Sequence, residues 1–319
     1  MVMVTYLLFV VGIYLLIEGA GWIVDSSSSI AKKIGVSSLI IGLTVVAFGT
    51  SLPELLVGIF SALRGVSEVS LGNIVGSNIA NILLILGITA MIGSVKIKSE
   101  TVWKQIPFAL LAAFVLFALS SGALSGKAVF LSISDGLILL SLFAIFIYYI
   151  FQTAKKDKKK VSLSREINTT NWKIVLKLVA GLVGIYFGGR WVVDGAVFIA
   201  GQLGLSEYLI SATIIAIGTS LPELVVCIMA VLKKNIDLAV GNVIGSNIFN
   251  ILWVLGIVPF VGVLSIPSFV VFDIAIMFLA TVLLFAFMFI GEKHGLTRRD
   301  GIIFVSIYVL YIVFLIIRG

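Results

Sequence analysis

Thr44–Gly87 reads TVVAFGTSLPELLVGIFSALRGVSEVSLGNIVGSNIANILLILG, and Thr213–Gly256 reads TIIAIGTSLPELVVCIMAVLKKNIDLAVGNVIGSNIFNILWVLG. The two stretches are 44 residues long, stand 169 positions apart and are identical at 23 positions without a gap. Each carries a glutamate, Glu54 or Glu223, directly after a proline in a mostly apolar run. An acid at membrane depth is costly and persists mainly where it handles ions, protons or substrate. Two such acids on matching, proline-broken helices form the pattern of a secondary transporter.

The remainder of the chain agrees with a membrane environment. Of 319 residues, 61% are hydrophobic and only 12% charged, against about a quarter charged in soluble domains; the mean hydropathy is +1.24. At about 20 residues per span the sequence predicts an all-α membrane protein with ten transmembrane helices, near residues 4–26, 37–63, 69–94, 105–122, 129–152, 172–200, 207–232, 238–263, 269–290 and 300–317. The first apolar stretch has no basic leader and no small-residue cleavage site, so it is read as a retained span. The lone Cys227 supports neither a disulfide nor a metal cluster.

A net charge of +7 does not point to nucleic acid, because the basic residues follow membrane topology. With the connection between spans five and six in the cytoplasm, 18 of 22 Lys and Arg residues fall inside, as the positive-inside rule expects. Both termini are then extracytoplasmic. Five spans per half is an odd number, so the second copy enters the membrane in the opposite sense and the repeat is inverted. Trp22 and Asp25 recur as Trp191 and Asp194 at the same offset of 169. The expected organisation is a first five-helix repeat over 1–154, a cytoplasmic linker over 155–171 and a second five-helix repeat over 172–319, with the site at the midplane where broken helices meet.

Pro53 lacks a backbone N–H and its ring clashes with the carbonyl four residues back, so the helix through GTSLPE should break or kink there. In lipid a break survives only if buried in protein or lining a wet cavity; a dehydrated cation is one partner for the freed carbonyls. Thr50 and Glu54 are four apart and share a helix side, as do Ser77 and Asn81, and Ser246 and Asn250. Every candidate donor is oxygen, which suits hard cations such as Ca²⁺ and Na⁺. His294 lies in a basic loop and is not read as a ligand.

GTSLPE followed by GNIVGSNIAN, repeated as GTSLPE and GNVIGSNIFN, resembles the two alpha-repeats of the calcium/cation antiporter superfamily, in its sodium/calcium exchanger branch of prokaryotic type. The resemblance implies a central site in which Glu54 and Glu223 hold Ca²⁺, helped by carbonyls near Ala47, Thr50, Ala216 and Thr219. Na⁺ would use the same carboxylates with Ser51, Ser77, Ser220 and Ser246, and Asn81 and Asn250 would complete the centre. Calcium/proton exchangers have an acid where this chain has Gly76 and Gly245, which disfavours proton coupling. Potassium-dependent exchangers have Asp where Asn250 stands, which disfavours potassium co-transport.

Glu18, Asp25, Arg190, Asp194 and Asp273 are read as structural, with a Glu18–Arg190 ion pair between halves as one expectation. The expected function is exchange of Ca²⁺ for Na⁺ across the cell membrane by alternating access, as a monomer in the lipid bilayer, with no cofactor. The alternatives are a proton-coupled exchanger of Ca²⁺ or another divalent cation, and a passive cation channel. An enzyme is disfavoured, because no nucleophile, histidine and acid constellation is available.

Overall fold

The computed structural model describes residues 2–125, 129–160, 171–203, 218–290 and 294–318. Eleven helices run in order: α1 (Val2–Ile34), α2 (Ser38–Thr50), α3 (Leu52–Leu63), α4 (Ser67–Ile92), α5 (Thr101–Ser120), α6 (Ile133–Lys160), α7 (Asn171–Gln202), α8 (Leu221–Leu232), α9 (Ile236–Phe260), α10 (Ser268–Phe287) and α11 (Arg298–Arg318). Eight of the described helices are long and apolar enough to cross a membrane, and the bent pair of α2 and α3 brings the number to nine. The predicted seventh span, 207–232, is represented by α8, and its residues 207–217 lie outside the described ones. Residues 161–170 of the expected linker also lie outside them.

Helix ends follow local chemistry. α1 runs past its predicted end to Ile34 and stops before Gly35, which adopts a left-handed φ of 74° at no Cβ cost. α3 and α8 end alike: Val66 N–H bonds to Ser61 O at 2.9 Å, and Asn235 N–H bonds to Ala230 O at 2.8 Å. Between α2 and α3 the axis turns by 40° at Ser51, directly before Leu52 and Pro53, where the ring forbids a continuous ladder. α4 and α9 each loosen into a π-helical turn at matching places, Ala80–Ile85 and Phe249–Val254, a feature frequent at functional sites.

α4 and α9 form the centre. Along their spans 78% and 83% of residues are buried within the protein, against 17% for α6 and 22% for α11, so the two motif-bearing helices are the ones most shielded from lipid. α1 and α7 pack along their lengths in antiparallel sense. A Cβ added to Gly12 would lie 2.9 Å from the Gly188 carbonyl oxygen, and one added to Gly19 would lie 2.9 Å from that of Gly181. Such backbone contact requires glycine on both helices.

Many further contacts come in matched pairs. Val95–Lys96 (β1) pairs antiparallel with Gly295–Leu296 (β4), and Val129–Leu131 (β2) with Leu264–Ile266 (β3). Asp135 Oδ2 accepts from the N–H and hydroxyl of Ser132 at 2.8 and 2.6 Å, and Asp300 Oδ2 does the same with Thr297 at 2.7 and 2.8 Å. The connections fall into two groups. Lys98 reaches Asp237, β1 reaches β4, and Ser37 N–H reaches Asp157, whereas Ser67 contacts Ser265 and β2 reaches β3. These are the two sets of loops that the charge distribution assigns to opposite faces.

Candidate ion-binding site

Ser51 and Ser220 stand at the hinges, with φ, ψ of −85°, 2° and −90°, 3°, so α3 and α8 each begin anew at the break. Pro53 and Pro222 occupy the second position of each helix, where the missing N–H costs nothing. Glu54 and Glu223 follow in the first turn and are 0% and 1% exposed. The positive end of the helix dipole and its free N–H groups favour a negative charge there. Glu223 lies within electrostatic reach of Glu54, Thr50 and Ser246.

Few of the oxygens at this centre have partners. Ser77 hydroxyl donates to Glu54 Oε1 at 3.2 Å and lies 3.5 Å from the Thr219 hydroxyl. Among the described residues Glu54 Oε2, both oxygens of Glu223, Ser51 Oγ, Ser220 Oγ, Asn81 Oδ1 and Asn250 Oδ1 are buried with no hydrogen-bond partner. Buried polar atoms are rarely left so; Ser26, Ser27, Ser70, Asn73, Thr101, Gln105 and His294 each have one as well, but no carboxylate other than Glu54 and Glu223 does among the described residues. The atoms of Glu54, Glu223, Ser51, Ser220, Asn81 and Asn250 are all hard oxygen donors, two carboxylates contribute three of them, and the set fits a dehydrated Ca²⁺ or Na⁺ as transported substrate.

A layer of asparagines fixes the orientation of this set. Asn81 Nδ2 donates to Asn247 Oδ1 at 2.9 Å, and Asn250 Nδ2 donates to Asn78 Oδ1 at 3.2 Å, so each bond joins one half to the other. Asn247 Nδ2 in turn donates to the Asn78 carbonyl at 3.3 Å. That backbone oxygen can only accept, so it forces Asn247 to present Oδ1 to Asn81. Asn81 must answer with Nδ2, leaving its own Oδ1 as the unpartnered oxygen. The hydrogen-bond network thereby assigns the amide orientations.

Of the residues singled out from sequence, Glu54, Ser77 and Thr219 are joined by short contacts, Glu223 faces Glu54, Thr50 and Ser246, and Ser51, Ser220, Asn81 and Asn250 are buried. The Thr50 hydroxyl lies near α9 and Glu223: it is 3.2 Å from Asn242 Oδ1, 3.3 Å from the Ser246 hydroxyl and 3.4 Å from the Ala47 carbonyl, and Thr50 and Ser246 both face Glu223. The Ala47 carbonyl accepts from Ser51 N–H at 3.0 Å within α2. Ala216 lies outside the described residues. Arg190 pairs with Asp194, 3.9 Å away and one turn along its own helix, and no Glu18–Arg190 ion pair occurs among the described residues. Sequence reading passed over Asn78, Asn247 and Asn242. Asn78 and Asn247 recur in the GSN triplet of both copies, which was the available signal.

A cavity of about 570 Å³ runs between α3 and α7 and is lined by Pro53, Val57, Arg64, Arg190, Asp194, Thr219 and Pro222. Thr219 and Pro222 adjoin Ser220 and Glu223 in sequence, so the cavity wall includes the immediate neighbours of the hinge serine and its glutamate.

The sequence matches the family model described as sodium/calcium exchanger protein over residues 4–152 and 173–317. It is 36% identical over 323 aligned residues to the putative antiporter CaxA of Alkalimonas amylolytica, covering 97% of this chain and 98% of that one. It is 30% identical to the sodium/calcium exchanger MaX1 of Methanosarcina acetivorans, covering 99% of each. A solved structure of the sodium-calcium exchanger NCX_Mj, soaked with Na⁺ and Sr²⁺, superposes with a TM-score of 0.83 at 31% identity over 98% of this chain and 99% of that one.

Proposed function

The chain belongs to the sodium/calcium exchanger protein family, which makes it a multi-pass membrane antiporter of cations, Ca²⁺ among them, and on that premise we propose that it exchanges Ca²⁺ for Na⁺ by alternating access. The observation that carries the reading is the facing pair of buried carboxylates, Glu54 and Glu223, three of whose four oxygens have no hydrogen-bond partner among the described residues. Two carboxylates balance one Ca²⁺, and the remaining donors are neutral hydroxyl and amide oxygens suited to either ion. In this reading Glu54 and Glu223 are shared by both substrates, Ca²⁺ also drawing on carbonyls near Ala47, Thr50, Ala216 and Thr219. Ser51, Ser77, Ser220 and Ser246 assist Na⁺. Asn81 and Asn250 supply amide oxygens at the centre and no third charge.

The architecture that goes with this reading is ten spans in two inverted halves, 1–154 and 172–319, joined by a cytoplasmic linker over 155–171, with both termini outside the cell membrane and the monomer as the working unit. The antiparallel crossing of α1 on α7 supports it, because these helices carry the matching Trp22, Asp25 and Trp191, Asp194 pairs. The cavity beside Arg64 then opens outward. The moving parts are α1 and α7, which stand outside the motif-bearing helices.

The test is uptake of radiolabelled Ca²⁺ into proteoliposomes, with an outward Na⁺ gradient, with an outward proton gradient, and with a valinomycin-set potential alone. Uptake against the Ca²⁺ gradient driven by Na⁺ is expected. Uptake driven by protons alone would assign proton coupling instead, and uptake that follows potential without any counter-ion gradient would make the protein a channel.

A further inference from the structure

Asp25 on α1 holds two lysines from elsewhere in the chain. Lys233, at the end of α8, places Nζ 2.5 Å from Asp25 Oδ1 and 3.0 Å from the Gly21 carbonyl, and Lys177 on α7 places Nζ 2.9 Å from Asp25 Oδ2. One acid thus draws the end of a site-bearing half-helix and the neighbouring long helix onto α1. The offset of 169 converts Asp25 into Asp194 and Lys233 into Arg64. The acid and the base are both present at the opposite end, on the matching helices.

There the pair is parted. Among the described residues Arg64 has no ion pair, and the ion pair of Asp194 is with Arg190, at 3.9 Å with both side chains 65% exposed. Arg64, Arg190 and Asp194 all line the 570 Å³ cavity that reaches Thr219. The same two positions are therefore joined where no cavity separates them and separated where one does. Arg190 stands at the position corresponding to Gly21. It keeps a cation beside Asp194 while the cavity is open, so that no bare carboxylate competes for cations on the way to the site.

We infer that Asp25–Lys233 and Asp194–Arg64 are reciprocal latches, one for each end of the transport path, each forming as the other parts. The inference rests on the alternating-access reading above. In the state described here the Asp25 latch is shut and the Asp194 latch open. When the end beside Arg64 closes, Arg64 meets Asp194 and Lys233 leaves Asp25. An acid–base pair suits this task because it is short-ranged and, being partly exposed, holds only weakly, so neither state is trapped.

The test uses Val57→Cys, a probe on the cavity wall, labelled from the cavity side by a membrane-impermeant maleimide; the buried Cys227 serves as the unreactive background. Lys233→Gln weakens the shut latch and should slow labelling about two- to fivefold, the range of a partly exposed ion pair. Arg64→Gln removes the partner needed for the other state and should speed it by a similar factor. Shifts in the same direction, or none, overturn the inference. If labelling of the Val57→Cys protein itself ignores imposed Na⁺ and Ca²⁺ gradients, alternating access fails and the latch with it. If that protein responds and the two variants do not differ from it, the latch alone fails. Independently of how the glutamine variants fold, cysteines replacing Arg64 and Asp194 should crosslink during turnover and halt exchange until reduced. Continued exchange without crosslinking under oxidant also overturns the inference.

Discussion

The asparagine layer and the two glutamates are built from equally well-matched positions, yet only the asparagines use them symmetrically. Asn81 reaches Asn247 as Asn250 reaches Asn78, at 2.9 and 3.2 Å. Glu54 accepts a hydroxyl from Ser77 at 3.2 Å, whereas among the described residues the Thr50 and Ser246 hydroxyls face Glu223 without closing a hydrogen bond to it. The difference follows from what each residue is mounted on. The asparagines sit on α4 and α9, the most enclosed helices, and bond across the halves. The glutamates sit on short half-helices that start at a hinge, beside a cavity present on one side. A transporter needs both properties, a fixed frame around the ion and carboxylates whose surroundings change between states.

Removing either carboxylate should break the comparison most severely. Glu54→Gln and Glu223→Gln should each abolish Ca²⁺ transport in proteoliposomes, despite the difference in their present partners, because both charges are needed to balance one Ca²⁺. Thermal melting should show equal or greater stability, since an unpaired buried acid is lost. Wild-type transport by a folded variant of either kind would remove that glutamate from the site.

A smaller effect is expected from the frame. Asn247→Ala deletes the acceptor of Asn81 Nδ2 and leaves that donor buried, at a cost of about 1–3 kcal/mol. Ca²⁺ affinity should fall roughly tenfold as Asn81 loses its fixed orientation, the equivalent of about 1.4 kcal/mol. Calorimetric Ca²⁺ titration and a melting curve measure the two numbers. Asn78→Ala should match it, and a large disagreement would show the layer to be less symmetric in energy than in geometry.

Exchange should also respond to voltage. On the proposed reading the Ca²⁺-loaded site is close to neutral, so a Na⁺-loaded form with more than two ions would carry net positive charge, and each net charge moved is worth about 2.3 kcal/mol per 100 mV. Ca²⁺ efflux driven by Na⁺ entry should therefore quicken several-fold at inside-negative potential set by valinomycin. Exchange insensitive to potential would indicate two Na⁺ per Ca²⁺. The smallest effect belongs to the matched caps. Asp135→Ala and Asp300→Ala should each lower stability by about 1 kcal/mol with exchange intact, and unequal losses in melting would expose an asymmetry absent from the matched hydrogen bonds.

Sequence revealed the parts whose physics is local. A carboxylate in an apolar run, a proline that breaks a helix and a 169-residue offset need no tertiary information, and they located Glu54, Glu223 and the hinges. The bend at Ser51 confirms the break. Contacts between halves were hidden. Thr50 shares a helix side with Glu54, and nothing in the sequence signalled that its hydroxyl also lies against Asn242 and Ser246 of α9. Asn78 and Asn247 read as ordinary polar residues until the approach of α4 and α9 sets Asn78 against Asn250 and Asn247 against Asn81. The Glu18–Arg190 expectation failed because Asp194, one helical turn from Arg190, provides a nearer acid. The strand pairs β1–β4 and β2–β3 were likewise illegible, being two- and three-residue pairings between distant connections.

Those strand pairs have a further consequence. β1 meets β4 as β3 meets β2, and Asn81 meets Asn247 as Asn250 meets Asn78, so one surface meets its own counterpart turned over. This is the isologous interface of a two-fold dimer, here closed within a single polypeptide. A covalent tether between the halves adds no contact to such an interface. Its contribution is to fix a one-to-one ratio and to raise the effective concentration of each half near the other, which lets the two copies diverge at single positions, as Gly21 and Arg190 have, without losing their partner.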